Sequence, residues 1–429
     1  MTSSSILRNR TSNRMTQPSR NRTSSPKAGK RSIDDPSTVA RSFVSRIYDE
    51  MLRGSCVIFA GAGSTTERGR QDTKNFYDQI KEKSGYPTGG DAPSFPVLMQ
   101  YFCDHVDGGR HNRLITEAIA RIEHFCAQGD DKWLAMSFSQ SITEIPYFNR
   151  FVTTNWDPFL ERALDVLVPM VEDRDLAFWD DRKRQVLKIH GCITRPYSIV
   201  ATQSDYDACM KENPLIFNKL KDLMATKTFV FVGYSMRDAD FQEVWNGITA
   251  MLGQFTKLAY AVDIDAKPDT VALWKERGIE LVNTSDILFV RALRGRLEKE
   301  NLIPSERLLE FMRREQRKIV STHVNMGQES DGKLASAMYQ DGLLHALDDV
   351  LTSTALGMKK KEDFESDLDR AKQFVQKMHR KHDPLEVAYW SGRTEVLKRF
   401  GQRSTAPIPR YFHPYRMRPS RKLVKGSRF

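Results

Sequence analysis

Short apolar runs recur along the first two thirds of the chain, each four or five residues long and bounded by polar or turn-forming residues. Such runs are too brief for a helix and lack the alternation of a half-exposed strand, so they predict strands buried on both faces, as in a parallel sheet. The six predicted strands are Cys56–Ala60, Arg150–Thr154, Val186–Ile189, Thr228–Val232, Leu258–Val262 and Ile279–Val282.

Apolar residues spaced three and four positions apart lie between these runs and predict helices. A first helix is expected from Asp35, which precedes Pro36, to Gly54, which would cap its end. Further helices are predicted at Phe95–Phe102, Leu114–Phe125, Pro158–Leu167, Leu215–Met224, Phe241–Met251 and Val271–Glu276. Strands alternating with helices predict a doubly wound, mostly parallel α/β sheet of the Rossmann type, which binds ligands at the carboxyl ends of its strands.

After about residue 285 the strand pattern stops, and the chain shows helical periodicity with dense charge. The predicted helices there are Ser305–Val320, Lys333–Leu351 and Lys361–His379. We expect residues 286–403 to form a C-terminal helical extension. It could simply cover the core, or it could serve oligomerisation or the docking of a partner.

The net charge of +11 is concentrated at the two ends of the chain, since residues 1–33 and 401–429 each carry eight Lys or Arg and no acidic residue. Any attraction to nucleic acid would therefore come from the tails. Residues 1–34 are expected to be a disordered basic tail, and residues 404–429 a basic, aromatic tail containing proline. A mitochondrial transit peptide is the alternative for the first segment, but its apolar helical face is missing.

The five cysteines are widely spaced and never arranged Cys-x-x-Cys, which argues against a disulfide framework and against a zinc site. No apolar run approaches the roughly 18 residues that span a bilayer, and no secretory core segment is present. We therefore expect a soluble cytoplasmic protein with free thiols and no membrane contact. The cysteines are Cys56, Cys103, Cys126, Cys192 and Cys209.

Four residues directly after the first predicted strand, Gly61, Ala62, Gly63 and Ser64, form the first candidate motif. Glycine lets the backbone approach a phosphate closely, and the N–H groups that follow can bind the anion. The third glycine of the dinucleotide fingerprint is absent because Thr66 stands at its position, which disfavours an ordinary Rossmann dehydrogenase. A tight turn without a ligand is the alternative.

The second motif, Thr-Thr-Asn-Trp-Asp, ends the second predicted strand with Asn155 and Asp157. The amide of Asn155 can hold a ribose hydroxyl or a water, and the carboxylate of Asp157 can accept from a carboxamide N–H₂. Both side chains could instead cap the helix predicted to begin at Pro158, and the two roles can coexist.

The third motif is His190, which ends an apolar strand and precedes Gly191. A neutral imidazole there can accept a proton from a ribose hydroxyl. A satisfied structural histidine is the alternative.

The fourth motif places Gly233 and Ser235 after the fourth strand, and Asp263 ends the next strand. The first two could receive a phosphate or a ribose at a helix N-terminus, and Asp263 could accept from adenosine ribose hydroxyls. Turn and cap roles are the alternatives.

The four motifs, in this order at successive strand ends, resemble those of sirtuins, which have Gly-Ala-Gly-x-Ser, Thr-Gln-Asn-x-Asp, His-Gly and Gly-Thr-Ser. This chain lacks the four-cysteine zinc module of true sirtuins and the Pro-Asp-Phe-Arg part of their first loop. Its Thr-Asn-Trp-Asp, Lys-Ile-His-Gly and Gly-Tyr-Ser-x-x-Asp segments are similar to those of the bacterial sirtuin-like antiphage branch, which hydrolyses NAD.

This resemblance implies that residues 35–285 are an NAD-binding catalytic domain in which Asn155 and His190 are the catalytic pair and Asp157 lies on the nicotinamide side. NAD would be a substrate, hydrolysed to nicotinamide and ADP-ribose by an antiphage effector that depletes NAD. The remaining residues implied to bind NAD are Gly61, Ala62, Gly63, Ser64, Gly233, Ser235 and Asp263.

The resemblance also implies a homo-oligomer and a separate regulatory partner, such as a HerA-type ATPase or an Argonaute-like protein. Two other functions stay open. One is an NAD-dependent lysine deacylase, which needs a peptide channel that the zinc module normally helps to build. The other is a non-catalytic nucleotide-sensing scaffold that uses the basic tails.

Overall fold

The computed structural model describes most of the chain between the two basic ends. The described residues are 35–66, 75–87, 91–106, 111–127, 129–235, 239–264, 266–324 and 331–409. The tail predicted at 1–34 and most of that predicted at 404–429 lie outside these ranges.

Six parallel strands form one sheet in the order β3-β2-β1-β4-β5-β6. This order begins with β1 at the centre and reverses direction between β1 and β4, which is the doubly wound arrangement expected from the sequence. Every predicted strand is present within one residue at each end. The strands are β1 (Cys56–Ala60), β2 (Arg150–Thr153), β3 (Gln185–Lys188), β4 (Thr228–Val232), β5 (Ala259–Asp263) and β6 (Glu280–Asn283).

Helices connect the strands and then continue alone to the end of the described chain. They are α1 (Pro36–Leu52), α2 (Phe76–Ser84), α3 (Phe95–His105), α4 (His111–Ala127), α5 (Gly129–Thr143), α6 (Phe159–Ala163), α7 (Gln203–Glu212), α8 (Pro214–Thr226), α9 (Ala239–Leu252), α10 (Pro268–Glu276), α11 (Asp286–Lys299), α12 (Glu306–Val324), α13 (Asp331–Ala355), α14 (Lys361–Arg380) and α15 (Pro384–Gln402).

Each face of the sheet buries alternate side chains of the same strands. In β1, Ile58 and Ala60 face the core that α1 and α11 cover, whereas Val57 and Phe59 face the core covered by α7 to α10. Because both faces are covered, the strands consist mainly of apolar residues, which is why short apolar runs identified them.

The capping of α1 follows the sequence prediction. The Asp35 carboxylate accepts from the backbone N–H of Thr38, and Pro36 occupies the first helical position. At the other end Gly54 has a φ of 66°, the left-handed conformation that commonly ends a helix. The helix therefore begins and ends where residue chemistry requires.

The last four helices have an apolar core of their own, which begins at Leu308 and includes Leu343, Leu347 and Val396. Helices α13 and α15 approach closely at two glycines, since a Cβ atom at Gly342 or Gly392 would collide with the backbone of the facing helix. Helix α11 differs, because its apolar side chains join α1 in the core of the sheet.

Arg184, at the start of β3, links the sheet to this helical region. Its guanidinium donates to the carbonyl oxygens of Thr143 (2.9 Å) and Ile145 (3.0 Å) after α5, and to that of Leu356 (2.6 Å) after α13. Burial lowers the pKa of Arg184 to about 10. The edge strand and the end of α13 are thus joined by one buried side chain.

The outer edge of β3 is occupied by a single residue. The backbone N–H of Met170 donates to Val186, and its carbonyl accepts from Lys188, both at 2.8 Å.

None of the helices in the described ranges combines the length and apolar content that crossing a bilayer requires.

Candidate functional site at the carboxyl ends of the strands

The loops after β1 and β4 contact each other through glycine. The backbone N–H of Gly61 donates to Val232 and that of Gly63 to Gly233, both at 2.9 Å. A Cβ atom at Gly61 would lie 2.5 Å from the carbonyl oxygen of Gly233, so no larger residue fits without a backbone shift. The two predicted phosphate-binding loops therefore form one continuous surface.

A short 3-10 turn, Ala62–Ser64, follows Gly61. The Ser64 side chain is fully buried, and its hydroxyl donates to the carbonyl oxygen of Gly61 at 2.7 Å. Ser64 therefore holds the shape of the loop.

Asn155 and Asp157 meet at a residue that the sequence analysis did not single out. The Thr65 hydroxyl accepts from Asn155 Nδ2 at 3.1 Å and donates to Asp157 Oδ2 at 2.9 Å. All three side chains are buried. Among the described residues, Asn155 Oδ1 is a buried acceptor without a hydrogen-bond donor. The amide nitrogen is therefore held by Thr65, whereas the amide oxygen is a buried acceptor of the kind that calls for a donor.

Two further hydrogen bonds fix the segment that carries Asn155. The Thr153 hydroxyl accepts from the backbone N–H of Asn155 at 2.9 Å and donates to the carbonyl oxygen of Ala60 at 2.7 Å. Asp157 Oδ1 accepts from the backbone N–H of Phe159 at 3.2 Å. Asp157 thus binds the first residue of α6 as well as Thr65.

A buried ion pair lies beneath this segment. Lys188 Nζ is 3.1 Å from Glu161 Oε1, and the lysine is fully buried. Nζ also donates to the carbonyl oxygen of Asp157 at 2.6 Å. Burial raises the pKa of Asp157, with a further increase from Glu161, and Lys188 opposes this. Burial also disfavours the ammonium of Lys188, but Glu161 with its neighbours raises the lysine pKa above its usual value.

His190 is buried behind the end of β3 and contacts Tyr206 of α7. The Tyr206 hydroxyl lies 3.5 Å from His190 Nδ1, and the two rings meet edge to face at 4.9 Å between centroids. The next residue, Gly191, has a φ of 85°, and a Cβ atom there would collide with the backbone of Ser198. A glycine is therefore required for the chain to turn away directly after the histidine.

The strand register relates these positions. Thr153 pairs with Lys188, so Asn155 and His190 each follow a paired residue by two positions on adjacent strands. On the other side of the sheet, Val232 pairs with Val262, and Gly233 and Asp263 are the residues that directly follow this pair. Asp263 ends β5 on the far side of β4 from Asn155, and Ser235 is an exposed residue beyond Gly233. The predicted site residues thus form one cluster at the ends of β1 to β3 and a second group at the ends of β4 and β5.

Four side chains of this region escaped the sequence reasoning: Thr65, Glu161, Lys188 and Tyr206. A lysine inside an otherwise apolar strand was a signal for Lys188, since a buried charge requires a partner. No local pattern indicates Thr65 or Tyr206, because each reaches the site only through the packing of loops and α7.

Among the described residues, no group of three or more His, Cys, Asp or Glu is placed to hold a metal ion. The four cysteines whose side chains are described, which are Cys56, Cys103, Cys192 and Cys209, are free and buried. The absence of zinc stays a prediction.

The fold is that of a doubly wound α/β protein, a class that binds ligands where the strand order reverses. Within that class, residues 149–282 match the SIR2-like domain family. This match begins just before β2 and ends at Val282 in β6, so it covers less than half of the chain.

Three relatives extend the likeness beyond this segment. An NAD(+) hydrolase ThsA of Cytobacillus dafuensis is 23% identical over 228 residues, covering 51% of this chain and 42% of the relative. The NAD(+) hydrolase ThsA of Bacillus cereus (strain MSX-D12) is 25% identical over 214 residues, covering 48% of this chain and 42% of the relative. Defense-associated sirtuin 2 of Bacillus subtilis is 24% identical over 254 residues, covering 57% and 24%. The chain thus spans less than half the length of each of these relatives.

Proposed function

We propose that this protein is an NAD⁺ glycohydrolase that cleaves NAD⁺ to nicotinamide and ADP-ribose, and that it serves antiphage defence by depleting NAD. One observation carries the proposal: Thr65 holds Asn155 and Asp157 together while Asn155 Oδ1 has no donor among the described residues. The names of two relatives, NAD(+) hydrolase ThsA and Defense-associated sirtuin 2, support NAD⁺ hydrolysis in defence.

NAD⁺ would lie across the strand ends with its charge and polar groups divided among the loops. The backbone of Gly61–Ser64 and the loop with Gly233 and Ser235 would bind the pyrophosphate. Asp263 would accept from the adenosine ribose, and Asp157 from the nicotinamide carboxamide.

In the reaction, the bond between ribose C1′ and nicotinamide N1 breaks, and its electron pair stays with nicotinamide. Water adds to the oxocarbenium-like C1′ and gives up a proton. Asn155 Oδ1 would accept from the ribose or from this water. His190 would accept a proton from a ribose hydroxyl and so stabilise the developing positive charge.

The test is to incubate purified protein with NAD⁺ and to quantify nicotinamide and ADP-ribose, with and without an acetylated peptide. We expect nicotinamide release that does not depend on the peptide. Release only with peptide would indicate a deacylase, and NAD binding without cleavage would indicate a sensing scaffold. Elemental analysis of the same sample is expected to find no zinc.

Two substitutions locate the chemistry. Asn155→Ala and His190→Ala should each lower turnover by about 10²–10⁴-fold, as the loss of an acid–base or orienting group does. Asn246→Ala on α9 and His345→Ala on α13 are controls of the same residue types in other parts of the chain and should retain activity. Normal turnover in either site variant, with wild-type melting, would remove that residue from the mechanism.

The homo-oligomer, the separate regulatory partner of HerA-type ATPase or Argonaute-like kind, the cytoplasmic location and any nucleic-acid contact through the basic tails also belong to this proposal. The oligomer and the partner rest on the resemblance, the nucleic-acid contact on the basic charge of the tails, and the location on the cysteine spacing and the lack of a membrane-spanning run. Light scattering of the purified protein tests the oligomer directly.

A further inference from the structure

Lys188 differs from every other residue of its strand because it carries a charge. Its neighbours in β3 and just beyond are Val186, Leu187 and Ile189, all buried, and Lys188 is itself 0% exposed. A buried ammonium is costly, and an apolar side chain of similar size would commonly be as stable or more stable. Stability of the fold therefore does not explain why β3 carries a charge at Lys188.

The ammonium is held between the site segment and α6. Nζ is 2.6 Å from the carbonyl oxygen of Asp157, and 3.1 Å and 3.3 Å from the two carboxylate oxygens of Glu161. The Cys192 thiol donates to Glu161 at 3.4 Å, so the carboxylate has a further buried partner. The pair thus fastens the backbone at Asp157 to two other elements.

We propose that Lys188 is a positioning residue for NAD⁺ cleavage, which holds the Asp157 backbone in place and thereby orients the Asp157 side chain towards the nicotinamide carboxamide. The inference rests on the function proposed above. Lys188 does not itself touch the substrate and acts through Asp157.

The groups around Asp157 have opposing effects on the pKa of its carboxyl group. Burial and the Glu161 carboxylate on α6 raise the pKa of Asp157, whereas Lys188 on β3, the Thr65 hydroxyl and the Phe159 amide lower it. His190 follows Lys188 by two positions, and Cys192 contacts Glu161. Without the ammonium, the pKa of Asp157 would rise further.

The first test is the dependence of kcat/KM for NAD⁺ on pH. Lys188→Met keeps an unbranched apolar chain but removes the charge, so we expect an activity loss of up to about 10²-fold. We also expect the acidic limb to move to higher pH by about one unit or more. Glu161→Gln should move that limb to lower pH, because it removes the anion that opposes ionisation of Asp157. A merely structural role would not give opposite shifts.

The matched control is Lys359→Met. Lys359 also forms ion pairs, with Asp349 and Asp367 at 2.8 Å and 2.9 Å, but it lies in the helical region. This variant should lose stability without a shift of the acidic limb. An unshifted limb in both Lys188→Met and Glu161→Gln would overturn the proposal, and Glu161→Gln supplies the test if Lys188→Met does not fold.

A second measurement needs no NAD⁺. Hydrogen–deuterium exchange of the peptide covering residues 155–162 should be at least about tenfold faster in folded Lys188→Met or Glu161→Gln than in wild type, and unchanged in Lys359→Met. Unchanged exchange in the first two variants would overturn the positioning role. A wild-type protein that does not cleave NAD⁺ would instead overturn the proposed function, so the two failures are distinct.

Discussion

The backbone N–H of Gly63 donates to the carbonyl oxygen of Gly233 at 2.9 Å, and this bond joins the loop after β1 to the loop after β4 across the centre of the sheet. A Cβ atom at Gly63 would lie 2.9 Å from the same oxygen. The two loops therefore hold each other's shape at the place where the strand order reverses.

Gly233→Ala should disrupt this contact. Gly233 has a φ of 59°, and a Cβ atom would collide with the backbone nitrogen of Ser64. We expect the free energy of unfolding to fall by at least about 1–3 kcal/mol, measured by urea denaturation. Gly247→Ala is the control, since nothing lies within 4 Å of its Cβ position, and it should be stabilising by up to about 1 kcal/mol. Equal stability of Gly233→Ala and wild type would contradict the close packing.

Thr65→Val should separate the hydroxyl's role from its volume. The variant keeps the shape of the side chain but leaves Asn155 Nδ2 and Asp157 Oδ2 without their shared partner, which costs about 1–3 kcal/mol. Nicotinamide release should fall by about 10–100-fold, because Asn155 and Asp157 are then less well oriented. Thr65→Ser keeps the hydroxyl and should retain most of the activity. If valine and serine behave alike, the bridge has no role in turnover.

Asp205 and His111 should set part of the dependence of stability on pH. Asp205 accepts from the backbone N–H groups of Ala201 and Thr202 and from His111 Nε2, at 2.8 to 3.0 Å. Although burial opposes it, these bonds lower the pKa of Asp205 to about 2, and the carboxylate raises the pKa of His111.

The two groups act at opposite ends of the pH range. The contribution of Asp205 is present above its unfolded pKa of about 3.9 and is lost as pH falls towards 2. That of His111 is present below about 6.5 and is lost as pH rises through its raised folded pKa. The melting temperature of Asp205→Asn should therefore differ most from wild type above about pH 4 and converge with it in acid. A constant difference from pH 2 to 7 would contradict the pKa shift.

A chain ending at residue 304 should fold, whereas a chain ending at residue 285 should not. The shorter chain loses the side chains of α11 and Ile303 that complete one face of the sheet. Burying each large apolar side chain contributes about 1.5–3 kcal/mol, so five of them compare with the whole stability of a domain. The lost residues are Phe289, Val290, Leu293, Leu297 and Ile303. Circular dichroism compares the two, and light scattering of the longer one shows whether α12 to α15 carry the predicted oligomer contacts.

The strands were predictable from sequence because β1 to β4 are buried on both faces, and short apolar runs of this kind need no tertiary information. The helices were less so. Residues 158–167 were expected to be helical, but α6 covers only Phe159–Ala163, since the chain turns at Asp165 with a φ of 54° and then reaches the edge of β3 at Met170. Helix α15 gave no pattern because its buried face mixes small and polar residues such as Ser391, Gly392 and Thr394.

The predicted site residues do lie at strand ends, because in a parallel sheet the position along the chain fixes the edge of the sheet. Their partners do not follow from sequence. Thr65 reaches Asp157 from 92 positions away, and Tyr206 reaches His190 from a helix on one face. These pairings depend on strand order and on loop packing, neither of which a single sequence states.

Met170 has a further consequence for association between molecules. An uncovered outer strand offers its free N–H and C=O groups to any other extended chain, and proteins commonly block this route to aggregation. On the outer edge of β3, Met170 donates to the carbonyl oxygen of Val186 and accepts from the backbone N–H of Lys188. Next to Val186 and Lys188 the outer edge of β3 is therefore already occupied, which hinders another extended chain from pairing with the strand that leads to His190.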